Sequence, residues 1–389
     1  MDRAGRILWV TDRHPPLGGG MARSSARLVE GLRGRGLEVD VLAFTSTAPG
    51  TGINVEHRDR GRDWRLSRTA PPGVTAQQAW RLLTLETAGR PFTHVVGFGA
   101  GRPGHLAVTY AAWLDLPSVV LVRGNDFDQD WFDPRRGPLV KESLARAATI
   151  GAVAPDLVDR IQALFPGADV RFVPNGVDPG LWELLPADEA LRDETRAKLS
   201  ADGRAVIGLF GELKYKKGVA FWLGALRDAG LTGRVALLLV GRRLDEETRQ
   251  VLDDPVLSPP SLRLPFADPD RLAGLYAACD FVALPSLWEG LPNVLLEAMA
   301  CGVPPLVSEA GAMGRLVQDG VTGFVFPVLD RAKAAQATAR ALDLDPSERA
   351  AMGRRARRFI AENYSLEKET EALLDLLGLG TDHGPGRAS

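Results

Sequence analysis

The stretch LPSLWEGLPNVLLEAMACGVPPLVS, residues 284–308, carries the fold in miniature. An apolar run ends at Leu284 as a strand, and a loop follows. Pro292 suits the first helical position, where its missing N–H is no loss, and Gly302 suits the residue that closes a helix. PPLVS then resumes a strand. Glu289 falls in the loop and Glu297 more than a turn inside the helix. Both flank unpaired helix amides at the carboxyl end of a strand, where open α/β sheets bind ligands. Glu289 as a cap and Glu297 as a surface charge is the plainer alternative. With Val294, Leu295, Leu296, Ala298 and Met299 around it, Glu297 reads instead as an enclosed carboxylate that needs donors.

Outward from this stretch, short β-rich runs alternate with amphipathic segments. The first half gives strands RILWV, EVDVLAF, HVVGF, SVVLV, ATIGAV and VRFV, with helices near 21–33, 104–114, 139–147 and 156–164. After PNGVDPGLWELLP the pattern restarts with AVIGLFG, VALLLVG, LRLPF, FVALPS, PPLVS and GFVF, and helices near 219–229, 269–278, 292–300 and 331–343. Such alternation implies parallel sheets covered on both faces. The 389 residues exceed one typical core. We therefore expect two doubly wound units, 1–178 and 179–363, joined near 174–186. A final helix at about 364–379 is expected to return to the first unit, before a disordered tail at 380–389.

The formal net charge of −2 gives no reason to expect a nucleic acid partner. No apolar run approaches 18 residues and the amino terminus does not read as a signal peptide, so no transmembrane segment is expected. Cys279 and Cys301 fit a reduced, cytoplasmic setting. The run HRDRGRDWRLSR (57–68) reads as a solvated charge run, with peripheral contact to an anionic membrane surface or acceptor as the alternative.

Seven lysines stand among 47 basic residues, and three of them lie in GELKYKKG, residues 211–218. This loop follows a strand and precedes a helix. Gly211 and Gly218 permit unusual backbone, and a phosphate beside Lys217 would gain both an ammonium and the helix amino terminus.

EGLPNVLLEAMACG resembles the E-x7-E motif of retaining glycosyltransferases of family 4, whose GT-B fold sets two Rossmann-like domains facing across a cleft. VPNGVD (173–178), KKG, LYAACDFVALPS, DGVTGFVF and the amino-terminal PPLGGGMARSSARLVEGLRGRGLEVDVL extend the likeness over nearly the whole chain. The resemblance implies that Lys217 contacts the donor diphosphate and that Glu289 holds sugar hydroxyls, with Gly290, Leu291, Pro292 and Asn293 beside the sugar and phosphate. It implies that Glu297 holds the ribose, and that Gly19 and Gly20, within glycines 18–20, let the backbone approach diphosphate and acceptor. Lys217 and Glu289 would carry catalysis, with neither metal nor cofactor.

Three departures stand out. Glu212 follows Gly211 where the family has arginine, so a second cation is expected from Lys214 or an arginine elsewhere, with Lys216 solvated. Arg315 stands where many relatives have glutamate, and Arg123 where many have histidine near the reaction centre.

Two other patterns compete. GAGRPG (99–104), with Asp126 further on, matches a dinucleotide fingerprint and would suit an NAD(P)-dependent oxidoreductase. NDFDQDWFD holds Asp126, Asp128, Asp130 and Asp133; a calcium loop fails because Trp131 and Gly137 stand where glycine and glutamate are needed. We expect Asp126 and Asp128, with Arg123 and His14, to border an acceptor pocket. The expected function is transfer of a hexose-type sugar from a nucleoside diphosphate donor, UDP favoured, to a hydroxyl of a small natural-product or cell-envelope acceptor, polyhydroxylated or amine-bearing. A nucleotide-sugar-binding protein without turnover is the second reading.

Overall fold

The computed structural model describes residues 5–46, 52–68, 72–199, 203–241, 244–254 and 258–380. The chain forms two compact units, divided after Asn175 and again after Ser365. The first holds β1 (Arg6–Thr11), α1 (Gly20–Gly34), β2 (Glu38–Thr45), β3 (Asn54–Arg58), β4 (Gly61–Ser67), α2 (Pro72–Gly89), β5 (His94–Phe98), α3 (Arg102–Leu114), β6 (Ser118–Val122), α4 (Asn125–Asp128), α5 (Gly137–Arg146), β7 (Thr149–Ala152), α6 (Pro155–Leu164) and β8 (Val170–Phe172). The second holds α7 (Pro186–Leu199), β9 (Ala205–Phe210), α8 (Val219–Asp228), β10 (Val235–Val240), α9 (Glu246–Asp253), β11 (Ser261–Leu264), α10 (Pro269–Ala277), β12 (Phe281–Leu284), α11 (Asn293–Ala300), β13 (Pro305–Ser308), α12 (Met313–Leu316), β14 (Phe324–Phe326), α13 (Arg331–Leu342) and α14 (Pro346–Asn363). Helix α15 (Leu366–Leu376) belongs to the first unit again.

The first sheet runs β3-β4-β2-β1-β5-β6-β7-β8 and the second β11-β10-β9-β12-β13-β14. All neighbours are parallel except the β3–β4 pair. Strands covered on both faces must be apolar throughout, which is why RILWVT and VALLLV are buried along their whole length. On one face of the first sheet Trp9, Val41 and Val96 meet Leu28 and Leu32 of α1 and Leu373 of α15. On the other face Leu8, Leu42 and Trp64 meet Leu83 and Tyr110. In the second unit Trp222 and Leu226 of α8 pack on Ile207, Leu237 and Phe281. Strand order reverses between β1 and β5 in one sheet and between β9 and β12 in the other, and these reversals fix where each unit can bind a ligand.

The strands and helices expected from sequence are present, with ends shifted by one or two residues. Pro292 is the residue before the first helical one of α11. The 57–68 run is a correction: it is mostly a hairpin, with β4 added in parallel to β2. Several of its charges, from Arg58 to Arg68, are paired within the unit. Asp63, 1% exposed, receives hydrogen bonds from Arg33 at 2.9 Å and Arg58 at 2.9 Å, and Arg65 reaches Glu56 at 2.6 Å. Helices α2, α7 and α9 were not expected. The tail expected to be disordered lies, from residue 381, outside the described residues. Among the described residues, no helix is long and apolar enough to cross a membrane.

Candidate functional site

At the reversal in the second sheet, the loop after β9 meets the loop after β12. They are joined by the Leu287 N–H, which donates to the Lys216 carbonyl at 2.7 Å. Gly218 has φ +60°, and a Cβ there would collide with the Pro285 carbonyl oxygen, so only glycine lets the lysine loop lie this close. The junction brings Lys217 Nζ to 2.5 Å from Glu289 Oε1 and Lys216 Nζ to 3.2 Å from Glu289 Oε2. Burial alone would raise the Glu289 pKa; the ammoniums of Lys217 and Lys216 overcome that and hold it below its ordinary value. Burial also lowers the Lys216 pKa, against the pull of Glu289.

Two expectations about the lysines change here. Lys216 is not solvated; its side chain is 15% exposed and paired. Lys214 instead pairs with Glu212, both about half exposed, so it does not join Lys217. Gly211, at the end of β9, donates its N–H to the Val240 carbonyl at 2.8 Å.

Glu289 and Gly290 are braced from behind. The Ala312 N–H donates to the Gly290 carbonyl at 3.1 Å, and Gly311, at φ +57°, lies where any Cβ would strike the Glu289 carbonyl oxygen. Further along α11, buried Glu297 accepts a hydrogen bond of 2.8 Å from the Tyr276 hydroxyl. Tyr276 is fully buried, 4.3 Å from the Phe210 ring and 5.7 Å from Trp182. The donor that an enclosed Glu297 requires is therefore a phenol from the preceding helix, α10.

In the first unit, space is open where a Cβ at Gly18 or Gly19 would stand; Gly19 precedes α1 and Gly20 begins it. The other expected residues mostly point inward. His14 is a buried group. Its Nδ1 lies 3.1 Å from Ser25 Oγ, which also accepts the Trp9 indole N–H at 3.0 Å, and its Nε2 lies 3.8 Å from Asp63. Asp126 is likewise occupied. It accepts the amides of Ala100 at 2.7 Å and Arg123 at 2.9 Å, and burial pushes its pKa up to about 6. Asp128 pairs with Arg160 at 2.6 Å and Asp130 with Arg136 at 3.0 Å. The acidic side chains thus have partners within the first unit, Asp128 on α6 and Asp130 in its own loop. Because the Ala100 N–H is taken by Asp126 and the Ala100 carbonyl by Ser143, GAGRPG does not offer that peptide to a pyrophosphate. Among the described residues, no group of three or more His, Cys, Asp or Glu is placed to hold a metal ion.

Arg123 is buried at the end of β6, over the Phe98 ring at 5.3 Å, with Nη2 donating to Asn175 Oδ1. Burial pushes its pKa down to about 10. Arg27 donates to the same Asn175 oxygen at 3.3 Å and is gripped by Glu369 at 2.6 and 2.8 Å. Tyr276, Arg27, Asn175 and Glu369 were not singled out from sequence. Tyr276 and Asn175 lie inside motifs that were, LYAACDFVALPS and VPNGVD; Arg27 and Glu369 are 342 positions apart and leave no local trace.

Two doubly wound units, one with two lysines paired to a carboxylate at its sheet reversal, have the architecture of the GT-B fold. A family profile described as glycosyl transferases group 1 matches residues 192–359, and one described as glycosyltransferase family 4 matches residues 18–181. The chain belongs to this family of group 1 glycosyltransferases. It is 32% identical over 259 residues to the D-inositol 3-phosphate glycosyltransferase of Saccharomonospora viridis, across 63% of this chain and 58% of that protein. To the Actinosynnema mirum protein of the same name it is 27% identical over 394 aligned positions, 94% of this chain and 93% of the relative. The crystal structure of Anabaena HepE in complex with UDP-glucose superposes with a TM-score of 0.75 at 18% identity, covering 96% of this chain and 99% of that one.

Proposed function

We propose that this chain is a retaining, metal-independent transferase that moves a hexose-type sugar from a nucleoside diphosphate sugar to a hydroxyl of a small acceptor. The observation that carries the reading is the convergence of Lys216, Lys217 and Glu289 at the second unit's sheet reversal, with Glu297 on the adjoining helix. The diphosphate is the leaving group, so the main catalytic task is to stabilise its developing charge, which Lys217 and the amino-terminal amides of α11 are suited to do. Glu289 orients the sugar through its hydroxyls, Glu297 takes the ribose hydroxyls, and a donor phosphate oxygen accepts the acceptor's proton during attack on the same face.

A uridine donor is favoured by the fold shared with HepE, whose structure holds UDP-glucose. A small polyol acceptor is favoured by the relatives named for D-inositol 3-phosphate. The amine-bearing acceptor loses its support, since Asp126 and Asp128 have partners in the protein. We assign the acceptor to the first unit, where the glycine loop 18–20 leaves open space.

The test is a melting-temperature screen with UDP, GDP, ADP and dTDP sugars. A ligand at 100 times its Kd stabilises by about 2.7 kcal/mol. Nuclear magnetic resonance of the product then reports whether the anomeric configuration is kept. Normal turnover and donor affinity in Lys217→Ala would overturn the assignment.

A further inference from the structure

The lysine loop presents three ammoniums, and the structure sorts them. Lys214 is tied to Glu212, and both side chains are about half exposed. Lys216 and Lys217 are 15% and 16% exposed and share one carboxylate, 9% exposed, through separate oxygens. Two ammoniums converging on one carboxylate in a partly desolvated place form a grouping suited to binding an anion. The Leu287 N–H fixes the Lys216 backbone to the loop that leads into Glu289, so Lys216 is anchored at the same edge as Lys217.

We propose that Lys216 is the second diphosphate-binding cation, replacing the arginine that Glu212 displaces, and that Glu289 is a resident counter-ion which donor phosphates exchange off the two lysines. This rests on the nucleotide-sugar reading above. In the structure Glu289 accepts a hydrogen bond from each of the two lysines. When a diphosphate takes the ammoniums, the Glu289 carboxylate is released to accept hydrogen bonds from sugar hydroxyls. One residue thereby excludes stray anions before binding and orients the sugar afterwards. A nucleotide without a sugar would gain the first half of the exchange and leave the freed carboxylate without its donors, so the site discriminates in favour of the whole sugar donor over the spent diphosphate.

The experiment is calorimetric titration of the full chain with UDP and with inorganic pyrophosphate, at two salt concentrations, for wild type, K216Q, K214Q and E289Q. K216Q is expected to raise the UDP dissociation constant about tenfold and to flatten its salt dependence, with recovery in K216R, since a lost charge-assisted contact is of that size. K214Q is expected to bind within twofold of wild type. E289Q is expected to bind UDP and pyrophosphate about fivefold more tightly while losing turnover, because the competing charge is gone. Unchanged UDP binding in K216Q, equal weakening in K214Q, or weaker binding in E289Q each overturns the exchange. Thermal melts of the variants identify any that has lost its fold, and K216R then carries the comparison. If the wild type binds none of UDP, GDP, ADP or dTDP at millimolar concentration, it is the nucleotide-sugar reading that fails.

Discussion

Gly311 and Glu289 touch through their backbones: the space a Cβ at residue 311 would need is filled by the Glu289 carbonyl oxygen. Gly311 also sits at φ +57°, a conformation that costs an L side chain about 1 kcal/mol or more. Gly311→Ala should therefore push the 289–290 loop away from Lys216 and Lys217. We expect kcat/KM for the donor to fall at least tenfold while urea denaturation shows a modest loss, about 1–2 kcal/mol. Unaltered donor kinetics would mean that the loop yields without moving the carboxylate.

Tyr276→Phe removes a single oxygen. Glu297 then loses its phenol donor in a buried place, which costs about 1–3 kcal/mol. If Glu297 receives the ribose, the displaced carboxylate should weaken UDP binding while leaving pyrophosphate binding near wild type. Equal weakening of both ligands would count against a ribose role.

Two aspartates of the first unit should give stability opposite dependences on pH. Burial would raise the pKa of Asp63, but the nearby His14 ring and hydrogen bonds from Arg33 and Arg58 hold it well below the usual carboxylate range. Its stabilisation is present above about pH 4 and is lost as pH falls toward the folded pKa. Asp126 is raised to about 6, so the native state binds more protons than the unfolded chain between about pH 4 and 6, and its contribution declines as pH rises through that window. At neutral pH Asp63→Asn should cost on the order of 3 kcal/mol, since Arg33 is left buried beside a neutral amide. Asp126→Asn keeps an acceptor oxygen for the Ala100 and Arg123 amides and should be about 1–2 kcal/mol more stable than wild type at pH 8. Denaturation followed by tryptophan fluorescence at about pH 3, 4.5, 6 and 8 separates the two cases, the lowest pH reporting Asp63 and the upper three Asp126; parallel pH profiles for wild type and Asp126→Asn would contradict this account.

The alternating strands and helices were legible because each sheet is covered on both faces and writes its strands as apolar runs. The 57–68 hairpin was hidden by its charges. Arg58 and Asp63 pair in three dimensions, with Arg33 of α1 joining from 30 positions away, but in sequence 57–68 looks like a solvated run. Helix α7 escaped notice because it is largely polar. At the site, Lys217, Glu289 and Glu297 stood in a recognisable spacing, whereas Lys216 and Lys214 were told apart only by which carboxylate each one meets. Asp126 and His14 show the converse. Loop position suggested outward-facing groups, and only the backbone amides and Ser25 around them reveal an inward role.

Helix α15 places Leu373, Leu374, Leu376 and Leu377 in the cluster that contains Trp9, Leu28 and Leu32. During synthesis those leucines leave the ribosome only after all of Gly176–Ser365 has been made, which at 5–20 residues per second takes on the order of ten to forty seconds. For that interval the face of the nascent first sheet that Leu28 and Leu32 of α1 already cover in part still lacks the leucines of α15, while the second unit is continuous in sequence. The amino-terminal unit, though translated first, therefore completes its core only with the last helix of the chain.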